Sequence, residues 1–271
     1  MPPATPLYAR IRSRLARLAL PRPDADRSPI ARGEDAGRPY APEMYELFRQ
    51  ALRPGMFVVD VGAHHGLFTL LAAALVGPTG HVWAVEPAPG NFRVLRKKTA
   101  ALPQVTAIHA AASDRDGSTR FALDSDNSTR HSLFPDNVGR RWRSRSVRTV
   151  ALAGMLPKGL RRLDLIKIDV QGAEPQVLQG AWPRLEKHHP LIVFELWPKG
   201  WRAGGHDPAA VLDELIELGY SLYDLSDGRG LLPEAHVREF LEQAQGRWRS
   251  TNVVAIHPKS RARPDVMIAA T

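Results

Sequence analysis

Acidic side chains recur in this chain directly behind short apolar runs, the positions where an α/β sheet presents its chemistry. Asp60 lies inside Phe57-Val58-Val59-Asp60-Val61, Glu86 follows Val85, and Glu195 follows Val193-Phe194. Asp169 follows Leu165-Ile166-Lys167-Ile168, with Glu174 five residues further on. If these runs are parallel strands, Glu86, Asp169 and Glu195 share one edge of the sheet and Asp60 lies nearby. Acids converging on one cleft suit a cationic ligand, a divalent cation or proton abstraction. Asp169 is the first candidate base, with Glu174 and Glu195 as rivals; Asp169 and Glu174 also suit plain capping of a turn and helix. Lys167 sits in an otherwise apolar strand, where a buried ammonium needs a partner or sheds its charge. His131 is a further candidate base by its ordinary titration range, although a lone loop histidine is more often simply exposed. Cysteine is absent and no H-E-x-x-H or Cys/His spacing occurs. A thiolate nucleophile is thereby excluded, and no metal site is assigned.

The glycines narrow the ligand. Asp60-Val61-Gly62-Ala63-His64-His65-Gly66 runs from a strand into a turn, where glycine lets the backbone bend tightly and approach a ligand. The dinucleotide fingerprint is not met, because His64 and Leu67 stand where its second and third glycines belong, and the phosphate-cradling G-x-x-x-x-G-K-[ST] is missing. The loop is therefore shaped for a nucleoside-like ligand without the usual phosphate grip. Glu86, before Pro87 and 20 residues after Gly66, is placed to accept hydrogen bonds from a ribose diol. In Ala111-Ala112-Ser113-Asp114, Asp114 could accept from an adenine amino group or simply form a turn.

The elements that must position these groups alternate. Strands are expected at 57–61, 81–85, 105–111, 163–170, 191–196, 220–225 and 252–257, and helices from about Pro42, at 67–76 and 91–101, through Val177 and Leu178, and at 207–218. Such alternation implies a doubly wound, mainly parallel sheet, and nearly continuous apolar strands imply helices on both faces. Residues 113–150 break the rhythm with two strand-like pieces (119–123 and 147–152). They form either a lid over the ligand edge or a small decorating hairpin.

The chain has 271 residues, of which 44% are hydrophobic and 24% charged, so either one large soluble domain or a domain of roughly 200–250 residues with an extra segment is expected. Its net charge of +9 is concentrated in residues 1–32 and in Arg140, Arg141, Arg143, Arg145 and Arg148. Leu7, Ile11, Leu15 and Leu18 mark one face of a basic amphipathic helix, which either packs on its own domain or makes peripheral membrane contact. No apolar run approaches the ~20 residues of a membrane span, and no secretory signal is recognisable. A cytoplasmic protein is expected, organised as an arm and linker (1–40), a catalytic domain (41–258) and a tail (259–271).

Taken together, the motifs resemble those of the class I S-adenosylmethionine-dependent methyltransferases, and within them the FkbM-like family. The resemblance covers about Pro42 to His257. It is carried by Asp60 to Gly66, Val85-Glu86-Pro87, Ala112-Ser113-Asp114, Ile168-Asp169-Val170-Gln171-Gly172-Ala173-Glu174 and Phe194-Glu195. It implies a Rossmann-like seven-stranded sheet with the last strand inserted antiparallel, and S-adenosyl-L-methionine as cofactor. Asp60, Gly62, Ala63, His64 and Gly66 would approach that cofactor, Glu86 and Pro87 its ribose, and Ser113 and Asp114 its adenine, with Asp169 close by. The family usually has Asn in place of His64 and an acid in place of Gln171. The implied reaction is O-methylation of a hydroxyl on a small molecule or sugar. The rivals are a nucleic-acid methyltransferase using the Arg140–Arg148 cluster on phosphates and a non-catalytic cofactor-binding module; a nicotinamide oxidoreductase is disfavoured by the missing glycines.

Overall fold

The chain is described from a computed structural model that covers residues 42–225, 231–244 and 249–264. The basic arm, where an amphipathic helix is expected from the sequence, and the tail beyond residue 264 lie outside the described residues.

The first described element, α1 (Pro42–Ala51), buries Met44, Leu47, Phe48 and Ala51 at three- and four-residue spacing. Its Phe48 ring packs 5.3 Å from Phe68 of α2. The alternation follows as expected: β1 (Phe57–Val61), α2 (Leu67–Val76), β2 (His81–Val85), α3 (Pro89–Thr99) and β3 (Val105–Ile108). A second, three-stranded sheet interrupts it, built from β4 (Ala111–Ala112), β5 (Gly117–Asp124) and β6 (Trp142–Val150) in the order β4-β6-β5. The main sheet resumes through α4 (Leu152–Met155), β7 (Leu165–Ile168), α5 (Glu174–His188), β8 (Leu191–Leu196), α6 (Pro198–Ala203) and α7 (Pro208–Glu217). It ends with β9 (Ser221–Asp224), β10 (Leu232–Pro233), α8 (Glu234–Gln243) and β11 (Thr251–Ile256).

Strand order in the main sheet is β10-β9-β11-β8-β7-β1-β2-β3. Strands β3, β2, β1, β7 and β8 run parallel, and β11 lies antiparallel between β8 and β9. This is the expected seven-stranded sheet, extended at one edge by the two-residue β10. The chain winds outward from β1 to β3 and then returns to lay β7 on the other side of β1. The β1/β7 boundary is therefore the switch point, outside whose carboxyl ends ligands bind.

Alternate residues of each central strand enter different layers. Val59, Val61, Ile166, Ile168 and Phe194 pack on one face, and Val58, Val82, Leu165, Leu191 and Val193 on the other. Both faces are covered, which is why these runs are apolar throughout. Burying each such side chain contributes about 1.5–3 kcal/mol, enough to hold polar groups rigidly at the strand ends.

Two departures from the sequence reading matter. The strand expected over 105–111 splits, with β3 ending at Ile108 and Ala111–Ala112 pairing with Thr149–Val150 in the second sheet. The backbone turns between them, where Ala110 N–H bonds Ile108 O and His109 Nε2 lies 3.1 Å from Pro87 O. In addition, α6 and α8 occupy stretches where the alternation placed no helix.

Candidate functional site

Gly62 takes φ +74°, a conformation that L side chains rarely adopt, and a β-carbon there would lie 1.8 Å from the Asp169 carbonyl oxygen. Its N–H and that of Ala63 both donate to Val85 O at 3.0 Å, tying the loop to the end of β2. His64, at φ +49°, donates its N–H to Glu86 Oε2 at 2.8 Å. Gly66, at φ +86°, opens α2, and its own missing β-carbon makes room for Leu95.

Glu86 is buried, and Oε1 accepts from Ala88 N–H at 2.8 Å. Burial pushes its carboxyl up to about 7, against the pull of these N–H donors. The Asn91 side chain is a third donor, so about one of the four lone-pair directions of the carboxylate is left. Beside it opens an apolar pocket whose walls include Gly62, Val85, Pro87, Ala111, Ala112 and Val170.

The other side of the switch point carries the acids. Asp169 follows β7, half-buried, and its N–H donates to Val61 O at 3.1 Å. Lys167, nearly fully buried, places Nζ 3.4 Å from Asp60 Oδ1 and 3.7 Å from Asp169 Oδ2. The partner that a buried lysine requires is thus present twice. Asp60 Oδ2 accepts from Thr69 Oγ1 at 2.6 Å. Gln171, at φ +56°, donates its side-chain amide to Asp169 Oδ1 at 3.1 Å and to Glu195 Oε2 at 2.9 Å. Loss of water around Glu195, together with the charges of Asp169 and Glu174, raises its carboxyl well above the usual range.

Glu174 is wholly buried at the start of α5. Oε1 accepts from Val170 N–H, and Oε2 accepts from Gly172 N–H and from Trp201 Nε1–H, all at 2.8–2.9 Å. Burial pushes it up to about 7 while these donors pull the other way. Its acceptors are spent on holding the 169–174 loop, a structural task the sequence reading allowed beside the catalytic one.

The 113–150 segment covers the site. Phe121 and Leu133 complete the pocket wall. Ser128 Oγ lies 3.0 Å from His64 Nε2, on the glycine-loop side. Ser132 Oγ donates to Gln171 O at 2.8 Å, and Asn137 Nδ2 donates to Gln171 O and Gly200 O, on the acid side. The sequence reading missed Ser128, Ser132 and Asn137. In a run rich in Asp, Ser and Asn nothing sets them apart until burial does, with Ser132 and Asn137 both buried.

Three candidates lie outside the acid cluster. His131 Nδ1 accepts from Asp124 N–H at 3.0 Å, burial lowers its basicity, and it makes an edge contact with Phe121 rather than joining the acids. Ser113 donates its hydroxyl to Asp114, and Asp114 lies 3.7 Å from Arg115. Both residues pass close against Gly180 of α5, one and two residues beyond the pocket-lining Ala112.

An open parallel sheet with an antiparallel strand inserted near one edge, a glycine turn after β1 and an acid ending β2 define the class I methyltransferase architecture. The profile described as "Methyltransferase FkbM domain" matches residues 60–222. The chain belongs to the FkbM methyltransferase family, and its cofactor is S-adenosylmethionine. It is 32% identical to methyltransferase sdnD of Sordaria araneosa over 181 residues, 54% of this chain and 68% of the relative. It is 29% identical to the 31-O-demethyl-FK506 methyltransferase FkbM of Streptomyces tacrolimicus over 203 residues, 62% and 72% of the two chains. Among solved structures, an FkbM methyltransferase from Methylobacillus flagellatus aligns with a TM-score of 0.45 at 14% identity, covering 78% of this chain and 50% of its own. Among the described residues, no helix is long and apolar enough to cross a membrane.

The residues present fit that cofactor. The pocket is apolar where a nucleoside face would lie, Gly62 presents bare backbone to it, and Glu86 has acceptor capacity to spare beside it. Under the loop, Asp60 Oδ1 is buried without a hydrogen bond and has the Lys167 ammonium 3.4 Å away as its counter-charge.

Proposed function

We propose that the chain transfers a methyl group from S-adenosylmethionine to a hydroxyl oxygen of a small-molecule or glycan acceptor. The observation that carries this reading is Asp169, a half-buried carboxylate held between Lys167 and Gln171 beside the Gly62 loop. When bound, the cofactor supplies a methyl group already activated by its sulfonium.

This chain's residues then have three tasks. Gly62, Ala63, His64 and Gly66 shape the loop, Glu86 accepts from the ribose diol beside Pro87, and Asp114 with Ser113 takes the adenine side. The 125–137 segment, bonded to both loops, excludes water from the junction. Asp169 would take the proton of the acceptor hydroxyl, the O–H pair staying on the oxygen that is to receive the methyl group. A positioned base of this kind typically contributes ~10²–10⁴-fold. Asp169 is preferred over its rivals on two grounds: Glu174 is sealed by three N–H donors, and Glu195 is held toward its neutral form. The Streptomyces relative, named for methylation of 31-O-demethyl-FK506, supports oxygen as the acceptor atom.

The reading is tested by following S-adenosylhomocysteine formation from S-adenosylmethionine across hydroxylated metabolites and sugars. Turnover that depends on an acceptor hydroxyl, and is lost when that hydroxyl is removed, is the expected result. Turnover only on nitrogen or carbon acceptors contradicts it.

A further inference from the structure

Seven arginines and three aspartates fall between Gly117 and Val150, and the β5–β6 register sorts the strand-borne ones by face. Phe121 pairs with Arg145 and Leu123 with Arg143, whereas Ser118 pairs with Arg148 and Arg120 with Ser146. Directly opposed residues of antiparallel strands share a face, with β-carbons about 4.5–5.5 Å apart. Arg143 and Arg145 therefore stand on the face of Phe121, whose side chain lines the pocket, and Arg120 and Arg148 stand on the other. Arg143 and Arg145 are both exposed. Among the described residues neither is ion-paired. Arg141, by contrast, lies 3.8 Å from Asp126. Asp124 accepts from the N–H groups of Asp126, Asn127 and Gly139, so its carboxylate is occupied too.

Residues two apart on a strand are separated by about 6.6–6.8 Å. Two guanidinium forks at that spacing match the oxygens of a phosphate or diphosphate. Resting on the methyl-transfer reading for the hydroxyl alone, we infer that Arg143 and Arg145 form an anion subsite beside the pocket and that the acceptor is a phosphorylated or diphosphate-linked sugar. A nucleic-acid strand fits less well. It needs one continuous track, whereas the register divides the arginines between two faces and puts exposed Trp142 on the face of Arg148.

The test is calorimetric titration of the full chain with inorganic pyrophosphate at low ionic strength, with S-adenosylmethionine titrated in parallel. The wild type and Arg120→Ala/Arg148→Ala are expected to bind pyrophosphate alike, and Arg143→Ala/Arg145→Ala at least tenfold more weakly, with cofactor affinity equal in all three. Pyrophosphate binding that is missing in the wild type, or weakened equally by both double variants, overturns the subsite. A single-stranded 20-mer RNA bound more tightly than pyrophosphate, and weakened equally by both pairs, also overturns it and assigns the arginines to nucleic acid. If S-adenosylmethionine does not bind, the methyl-transfer reading fails on its own, and pyrophosphate alone decides the anion subsite. With cofactor binding intact, S-adenosylhomocysteine formation on sugar phosphates but not on the unphosphorylated sugars supports the acceptor class, and the reverse preference rejects it.

Discussion

The carbonyl oxygen of Asp169 lies 1.8 Å from where a β-carbon on Gly62 would stand. The turn after β1 and the turn after β7 therefore interlock through one missing side chain. The candidate base can sit beside the β1 turn only because that position is glycine. Gly62→Ala is expected to cost about 1–2 kcal/mol for the left-handed backbone and more for the displaced carbonyl. A total near 2 kcal/mol corresponds to a Tm lower by roughly 4–8 °C in a domain of this size. Thermal unfolding checks this, and an unchanged Tm contradicts the interlock.

Lys167 holds two carboxylates, one of them almost completely buried. Lys167→Met removes the charge but keeps the bulk, leaving Asp60 uncompensated. Breaking a buried pair in this way typically costs about 3–5 kcal/mol. Denaturant unfolding should show a loss of that size, whereas a loss below about 1 kcal/mol would place the pair's value at that of a surface contact.

Asp169→Asn preserves size and can still meet the Gln171 side chain if the amide of one of them turns. As the base, Asp169 should lose ~10²–10⁴-fold in kcat on neutralisation while S-adenosylmethionine affinity stays within about threefold. Full turnover by the variant transfers the role to another group.

Glu86 gives a pH dependence with a defined sign. Its folded carboxyl titrates at about 7 against 4.5 for the free group. Between those values the folded chain holds a proton that the unfolded chain has released, so the stabilisation present below pH 4.5 is lost as pH rises toward 7. Relative to Glu86→Gln, which does not titrate, wild-type stability should fall across this window by up to about 3 kcal/mol. Paired chemical denaturation series at pH 4.5 and 7.5 measure the difference. A constant difference rules out a proton held in the fold by burial of Glu86.

Much of this site is legible in the amino-acid order, because its signals are local. Val58 to Val61 must be buried on both faces, Gly62 must turn, and an acid must end the next strand. Lys167 announces itself as a cation in an apolar strand and needs only to be placed beside Asp60. What is not legible depends on contacts distant in sequence. Ala111 and Ala112 read as the end of β3, yet they pair with Thr149 and Val150, nearly forty residues away. Gln171 reads as a lost acid, yet its amide bridges Asp169 and Glu195, a link that exists only once β7 and β8 are adjacent. Ser132 and Asn137 look like solvated loop residues until the hairpin folds over and buries them against the Gln171 carbonyl. Glu174 reads as a candidate base before it reads as a cap, and only the Trp201 indole, from a helix the periodicity does not reveal, shows how completely its oxygens are occupied.

Calorimetric titration of the purified chain with S-adenosylmethionine and S-adenosylhomocysteine, with NAD as control, tests the central claim most directly. Saturable binding of the first two, weakened at least tenfold by Glu86→Ala, with none of NAD, is the predicted result. Failure of both to bind, or equal binding of NAD, would contradict the assignment of the Gly62 loop and Glu86 as the cofactor site.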